Sequence, residues 1–327
     1  MFEGMVVLGE NLNATRKVKA DGKMVVEYAP GRKGYPYTAM TGERKYLDLT
    51  DALQSEAVQK SGKVGYIAAG VVQRDEEFIA AIAHRQIQDG ADALDLCVDE
   101  ITPWSEQRIA HMRWLVQTVQ KHVPVPLMID SSDPATIRAG LEEVDWSIGR
   151  PIINSINLEE ARLPMLPIAQ ETNARLLANA SGASGLPTDV DGRVANLSRI
   201  MQLMDDHAIA LGDRYLDPLV LPIGTNPEHG RHFLESCAQL RERFGKEFHM
   251  TGGFSNVSFG LPNRRLLNEA MTWLAREAGC DTAFIDPAQV RGFAPGDEGF
   301  QKAVAALKGE DMYCIEYITW ARSAGVA

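Results

Sequence analysis

The chain has 327 residues, 45% of them hydrophobic and 24% charged, the composition of a packed globular protein and too apolar for a disordered one. Its 33 basic and 44 acidic residues leave a net charge of −11, which argues against nucleic acid and anionic membrane surfaces as partners and favours a small-molecule substrate. Four cysteines, Cys97, Cys237, Cys280 and Cys314, lie far apart without a CxxC pair, so they read as buried thiols, not as a disulfide framework or a zinc site. No apolar run approaches the ~18 residues that span a bilayer. The opening MFEGMVVLGE carries Glu3 where a secretory signal carries lysines, so a cytoplasmic location is expected.

Taken in chain order, MVVLG at 5–9 is the first candidate strand. Residues 14–70 then interrupt any regular alternation and read as an insertion, opened by Asp21-Gly22 between strand-like flanks, a hairpin signal. A helical period follows in EEFIAAIAHRQIQDG at 76–90, closed by Gly90. Further short apolar runs come at 93–98 (ALDLCV), 125–130 (VPLMID), 152–156 (IINSI), 175–180 (RLLANA), 214–222 (RYLDPLVLP), 248–255 (FHMTGGFS) and 281–286 (DTAFID). Another periodic helix, NRRLLNEAMTWLAREAG at 263–279, fits the last gap. Eight strand and helix units in alternation predict an α/β fold, a single TIM (β/α)8 barrel over residues 1–327 with the 14–70 insertion after its first strand.

The strand ends share one chemistry: Glu10, Asn13, Asp95, Asp130, Asn154, Asp217, Asn256 and Asp286. A barrel gathers the carboxyl ends of its strands on one face, so these residues are expected around a single mouth. Asp133, followed by Pro134, reads instead as a helix cap. Asp130 and Asp217 lie inside apolar runs, where capping alone is a poor explanation. His229, His232 and Cys237 fall on a predicted outer helix with the third off the face of the first two and no fourth ligand, so no metal site is expected. The glycines at 181–185 (SGASG) and 252–254 (GGF) match no phosphate-binding fingerprint.

Six stretches together, GENLN at 9–13, DGADALDL at 89–96, MIDSSD at 128–133, INSIN at 153–157, YLDPL at 215–219 and GGFSNVSFGLPNR at 252–264, resemble the pterin-binding methyltransferases. That family includes the methyltetrahydrofolate:corrinoid protein methyltransferases, the folate module of cobalamin-dependent methionine synthase and the related dihydropteroate synthases. The resemblance implies a barrel that binds tetrahydrofolate or methyltetrahydrofolate as substrate and moves a methyl group between the pterin ring nitrogen and the cobalt of a corrinoid, forming methyltetrahydrofolate in a one-carbon or demethylation pathway. By family position, Asp130, Asn154 and Asp217 would grip the pterin's pyrimidine edge and Asn256 would hydrogen-bond the methyl-bearing nitrogen. Gly253 and Ser255 would shape the loop, and Arg264 would act electrostatically beside it. Glu10, Asn13 and Asp95 match less closely as further substrate-binding residues. Cys97 stands where the family often has Asn. The alternatives within the resemblance are a dihydropteroate synthase and a non-catalytic pterin-binding subunit.

No DxHxxG motif for a corrinoid occurs; DDHAIALG at 205–212 lacks the glycine at the required spacing, and His207 reads as a helix-face residue. Cobalamin is therefore expected on a partner, a corrinoid protein, with the chain itself a homodimer. Following the first strand, the insertion should emanate from the catalytic face. Between Ala14 and Lys45 it carries the cations Arg16, Lys17, Lys19, Lys23, Arg32, Lys33, Arg44 and Lys45 against Asp21, Glu27 and Glu43, 8 − 3 = +5 in a chain of −11. That suggests a hairpin-led rim steering an acidic partner or the anionic tail of the folate.

Overall fold

The computed structural model describes residues 4–290, 292 and 295–326. Its first strand, β1 (Val6–Asn13), buries Val7, Leu8 and Leu12. The insertion follows with β2 (Lys17–Lys19), β3 (Val26–Ala29), β4 (Arg32–Thr38), β5 (Arg44–Asp48), the short helices α1 (Thr50–Leu53) and α2 (Glu56–Ser61), β6 (Lys63–Gly65) and α3 (Tyr66–Gln73). The regular alternation then begins: α4 (Glu76–Gln88), β7 (Ala93–Cys97), α5 (Ser105–His122), β8 (Leu127–Asp130), α6 (Pro134–Glu143), β9 (Ile152–Ile156), α7 (Met165–Thr172), β10 (Arg175–Asn179) and α8 (Val190–Asp206). It continues through β11 (Arg214–Asp217), α9 (His229–Phe244), β12 (His249–Met250), α10 (Arg264–Glu277), β13 (Thr282–Ile285), α11 (Glu298–Leu307) and α12 (Ile315–Ser323).

Eight of these strands form one sheet in the order β12-β11-β10-β9-β8-β7-β1-β13. Neighbours in the sheet follow chain order with helices between them, which is the strand order of a (β/α)8 barrel. Every residue of β7 and of β9 is buried, as expected for parallel strands covered on both faces. Among the described residues no helix is long and apolar enough to cross a membrane.

The chain divides into two compact units, Gly9–Pro151 and the residues on either side of it. Within Gly9–Pro151, Asp75 caps α4 by accepting from the Phe78 N–H at 3.0 Å, and Gly90 closes its end at φ +104°. Asp133 caps α6, accepting from the Ala135 N–H at 3.1 Å with Pro134 in the first turn. In the other unit α10 buries Leu267, Ala270, Met271, Leu274 and Ala275 along one stripe, the spacing of an amphipathic helix laid on a core.

The predicted hairpin at Asp21-Gly22 is not formed. β2 pairs antiparallel with β6, and β3 pairs with β4. A two-residue hairpin of the Asp-Gly type needs positive φ at both central residues, whereas neither Asp21 nor Gly22 has it. Two successive turns run there instead, Gly22 N–H to the Lys19 carbonyl and Val25 N–H to the Gly22 carbonyl, both at 3.0 Å. Left-handed glycines close the turns that do form, Gly31 (φ +71°) between β3 and β4 and Gly42 (φ +87°) between β4 and β5. The strands expected at 214–222 and 248–255 end early, at Asp217 and Met250. Pro218, which has no N–H to give a ladder, follows the first of them.

Candidate active site

In the Gly9–Pro151 unit, the ends of β1, β7 and β8 bring Asn13, Asp95 and Asp130 together. Asn13 Nδ2 donates to Asp95 Oδ2 at 3.4 Å and to Asp130 Oδ2 at 3.2 Å. Its Oδ1 accepts from the Thr15 N–H (3.0 Å) and hydroxyl (2.7 Å), which fixes the amide's orientation. Asp95 is fully buried and Asp130 half-buried. Cys97 is the register partner of Asp130 on the neighbouring strand. Burial and then the Asp130 and Asp95 charges push its thiol well above the usual range, so it stays protonated. Glu10 is held by Arg16, which also donates from Nε to the Glu10 carbonyl at 3.3 Å.

The sequence reading missed Asp99, which accepts from the hydroxyls of Ser131 (2.5 Å) and Ser132 (2.6 Å) and from the Ser132 N–H (2.7 Å). It thereby pins the loop that follows Asp130. Asp133 next to it is structural. Burial raises its carboxyl's pKa, but Ser105, Thr136, the Ala135 N–H and Arg108 outweigh that and leave it lowered.

In the other unit, the ends of β9, β10 and β11 line up Asn154, Ser155, Asn179 and Asp217. The β9–β10 register pairs Leu177 with Asn154 but Ala178 with Ile156, a bulge at Ser155 of the kind that re-aims side chains near sites. Asn154 is buried. Asn179, also missed from sequence, is the register partner of Asp217 and donates to Ser155 Oγ at 2.8 Å. Asp217 is buried and accepts from the Leu219 N–H at 2.7 Å and from the Gly253 N–H. Burial raises its pKa to about 7 against the pull of these donors and of Arg193.

Arg193, the third missed residue, has no exposed surface and donates from Nη1 to the carbonyls of Pro218 (2.8 Å) and Leu219. Its period on α8 reads as an ordinary helix position. Only the cost of burying a guanidinium marks it as a brace behind Asp217.

Asn256 sits in a short helical turn, 254–258, and is exposed. Its backbone N–H bonds to the Gly253 carbonyl at 3.0 Å. A Cβ on Gly253 would stand 2.9 Å from Asn256 Nδ2, so glycine there leaves room for the amide. Arg264 opens α10 and reaches back to this turn: Nη2 to the buried Ser255's carbonyl at 2.8 Å, Nε to Ser258 Oγ at 3.0 Å, with the guanidinium over the Phe259 ring at 4.5 Å. Ser258 donates to Asn268 Oδ1 (2.7 Å), and Asn268 to Gln289 Oε1 (2.6 Å). Asp286 accepts from the Ala288 N–H at 3.1 Å, a cap for the turn that follows β13.

His229, His232 and Cys237 serve separate partners. His229 Nδ1 meets the Pro222 carbonyl at 3.0 Å, His232 faces Glu228 at 3.5 Å, and the Cys237 thiol packs 3.7 Å from Cys280. His207 closes α8, its Nδ1 2.9 Å from the Leu203 carbonyl.

A family model, described as pterin binding enzyme, matches residues 67–286. The chain belongs to this family. The pterin binding enzyme is 28% identical over 261 residues to a methylcorrinoid:tetrahydrofolate methyltransferase of Eubacterium limosum, covering 79% of this chain and 92% of that one. It is 27% identical over 257 residues to methionine synthase of Mycobacterium tuberculosis, covering 74% of this chain but only 21% of that much longer protein. In fold it is similar to dihydropteroate synthase from Xanthomonas albilineans, with a TM-score of 0.55, 15% identity and coverage of 100% of this chain and 96% of that one.

Proposed function

We propose that this pterin binding enzyme transfers a methyl group from a methylated corrinoid, delivered by a partner corrinoid protein, to tetrahydrofolate, forming methyltetrahydrofolate. The observation that carries the reading is the exposed Asn256 amide, set on a braced turn whose Gly253 N–H also holds the buried Asp217. Among the described residues it makes no side-chain hydrogen bond, so it is available to a substrate. The E. limosum relative, named for this reaction and matched over most of both chains, supports the same choice.

In this reading Asp130, Asn154 and Asp217 satisfy the donor-rich pyrimidine edge of the pterin, which needs paired acceptors when buried. Asn13 and Asp95 keep Asp130 oriented, and Glu10 with Arg16 borders them. Asn256 accepts the N–H of the ring nitrogen, or donates to that nitrogen in the reverse direction. The nitrogen lone pair forms the new N–CH3 bond, both electrons of the cobalt–carbon bond stay on cobalt, and the N–H proton leaves to water. An amide does this without ionising, so the protein's contribution is positioning and polarity. Arg264 supports the step through the 254–258 turn, and Gly253 and Ser255 complete that turn.

The test is spectroscopic: methylcobalamin and tetrahydrofolate are mixed anaerobically with the enzyme and the cobalt spectrum is followed. Conversion to cob(I)alamin with matching methyltetrahydrofolate is expected. Absence of that conversion, with dihydropteroate formed from a pterin diphosphate and p-aminobenzoate, would assign the chain to the synthase branch instead.

A further inference from the structure

We infer that Arg193 is a positioning residue that clamps Leu219 in a left-handed backbone conformation, so that the Leu219 N–H is held on the Asp217 carboxylate; the inference rests on the pterin role proposed for Asp217. Leu219 has φ +71°, a region that bulky side chains rarely enter because Cβ crowds the backbone. Such a conformation persists only where its surroundings over-determine it. β11 ends at Asp217, and the buried Pro218 separates it from Leu219. The carbonyls just before and just after the Leu219 Cα, those of Pro218 (2.8 Å) and Leu219, both accept from Arg193 Nη1. One guanidinium nitrogen thus fixes the peptide planes on either side of the strained residue. The plane ahead of it carries the Leu219 N–H, which donates to Asp217 Oδ1 at 2.7 Å.

Arg193 holds this place at a cost to stability. It has no exposed surface, and its Nε and Nη2 find no hydrogen-bond partner among the described residues. A methionine would fill the same space without desolvating a cation, so packing does not account for an arginine. The groups around it leave its charge to Asp217. Asp189, at the start of α8, is engaged in capping the Gly192 N–H at 2.8 Å. On α9, His229 turns Nδ1 to the Pro222 carbonyl, and burial lowers its pKa with Arg193 adding to the effect. The Cys237 thiol, also on α9, is pushed well above its usual range by burial and stays protonated. From the 254–258 side the Gly253 N–H reaches the carboxylate. Asp217 is the carboxylate that Arg193 feels most strongly. Arg193 therefore acts on it twice, through the Leu219 N–H and through its own charge, and both favour the ionised form that burial opposes. Only that form accepts two N–H groups of a pterin.

Two readouts test the clamp. In the folate-free chain, the carboxyl 13C NMR titration of Asp217, assigned through its loss in Asp217→Asn, should move from about 7 upward by about one unit in Arg193→Met. In calorimetry at a pH well above both midpoints, Arg193→Met should bind tetrahydrofolate about tenfold more weakly than the wild type. Adding Leu219→Gly, which reaches φ +71° without a Cβ clash, should recover about fivefold of that loss, an interaction read from the four-member cycle. A methionine variant that folds only when Leu219→Gly is present would support the clamp by itself; if neither folds, Arg193→Gln, whose amide is too short to reach both carbonyls, enters the same cycle. An Asp217 midpoint that stays at its wild-type value, or effects of the two substitutions that simply add, would overturn the inference and leave Arg193 a packing residue. The two readouts also separate it from the reading it rests on. If the wild type binds no folate while the titration moves as expected, the clamp stands and the pterin role of Asp217 fails; if folate binds and the titration does not move, the clamp fails alone.

Discussion

Asn256 and Asp217 divide the proposed chemistry between an amide that acts on the reacting nitrogen and a carboxylate that holds the ring. If the Asn256 hydrogen bond strengthens as the methyl group moves, Asn256→Ala should lower kcat by about 10²-fold, the scale of one preorganised polar group, with a much smaller change in folate Kd. Equal loss in Kd with kcat intact would make Asn256 a binding residue only. Asp217 predicts a pH dependence. Burial raises its pKa to about 7, and only the carboxylate is a double acceptor for the pterin's N–H groups. Folate affinity should therefore improve as pH rises through about 7, falling toward tenfold per unit on the acid side, and Asp217→Asn should flatten the profile while weakening binding. Stability runs the other way. The native state holds this proton more tightly than the unfolded chain, so stability contributed by the group declines from pH ~4 to ~7 and the full penalty applies above 7. A shift of about three units corresponds to a few kcal/mol at most. Asp217→Asn should thus melt higher than the wild type at pH 8, with the gap closing toward pH 4 in thermal scans.

The turn at 254–258 offers Arg264 a second role beside the electrostatic one its motif implies. From the motif, Arg264 is expected to act by charge; in the structure its fork spans Ser255 O and Ser258 Oγ, which a lysine ammonium cannot do from one position. Arg264→Lys keeps the charge and loses the brace, so it separates the two roles. Bracing predicts a fall of about tenfold in kcat with folate Kd within about twofold; a rate close to wild type would restore the electrostatic assignment. Other elements were legible to different degrees. β7 and β9 stood out because strands buried on both faces read as short apolar runs, interrupted only by Asp95 in the first and by Asn154 and Ser155 in the second. β12, two residues long, offers no period to detect, and its apolar run continues into the Gly252-Gly253 turn. Asn179 escaped because an Asn at a strand end is also an ordinary loop-opening residue, and its link to Ser155 depends on a bulge in another strand.

At the scale of the molecule, the alternation of strands and helices from α4 onward was readable because each βα unit is local. The insertion was not, because its pairings are long-range: β2 finds β6 more than forty residues later in sequence, and no local pattern announces that partner. Its position was evident from the broken alternation, its topology only from the structure, and the family match starts at residue 67, beyond most of it. The structure also shows that the insertion is no detachable loop. Tyr37 and Tyr35 meet the fully buried Phe78 of α4 edge-on at 5.2 and 6.2 Å, Tyr35 stacks on Tyr66 at 4.4 Å, and Lys45 pairs with Glu77 at 2.6 Å. Leu47 and Leu49 are fully buried as well. Excising residues 16–64 would strip this cover from α4, whose apolar face then meets water. Because such a deletion can simply abolish folding, Tyr37→Ala is the graded test. Truncating a half-buried aromatic against Phe78 should cost roughly 1–3 kcal/mol, a drop of several degrees in melting temperature for a chain of this size. An excised chain that melts with the wild type, or a Tyr37→Ala variant with no loss, would show that the insertion rests on the unit without stabilising it.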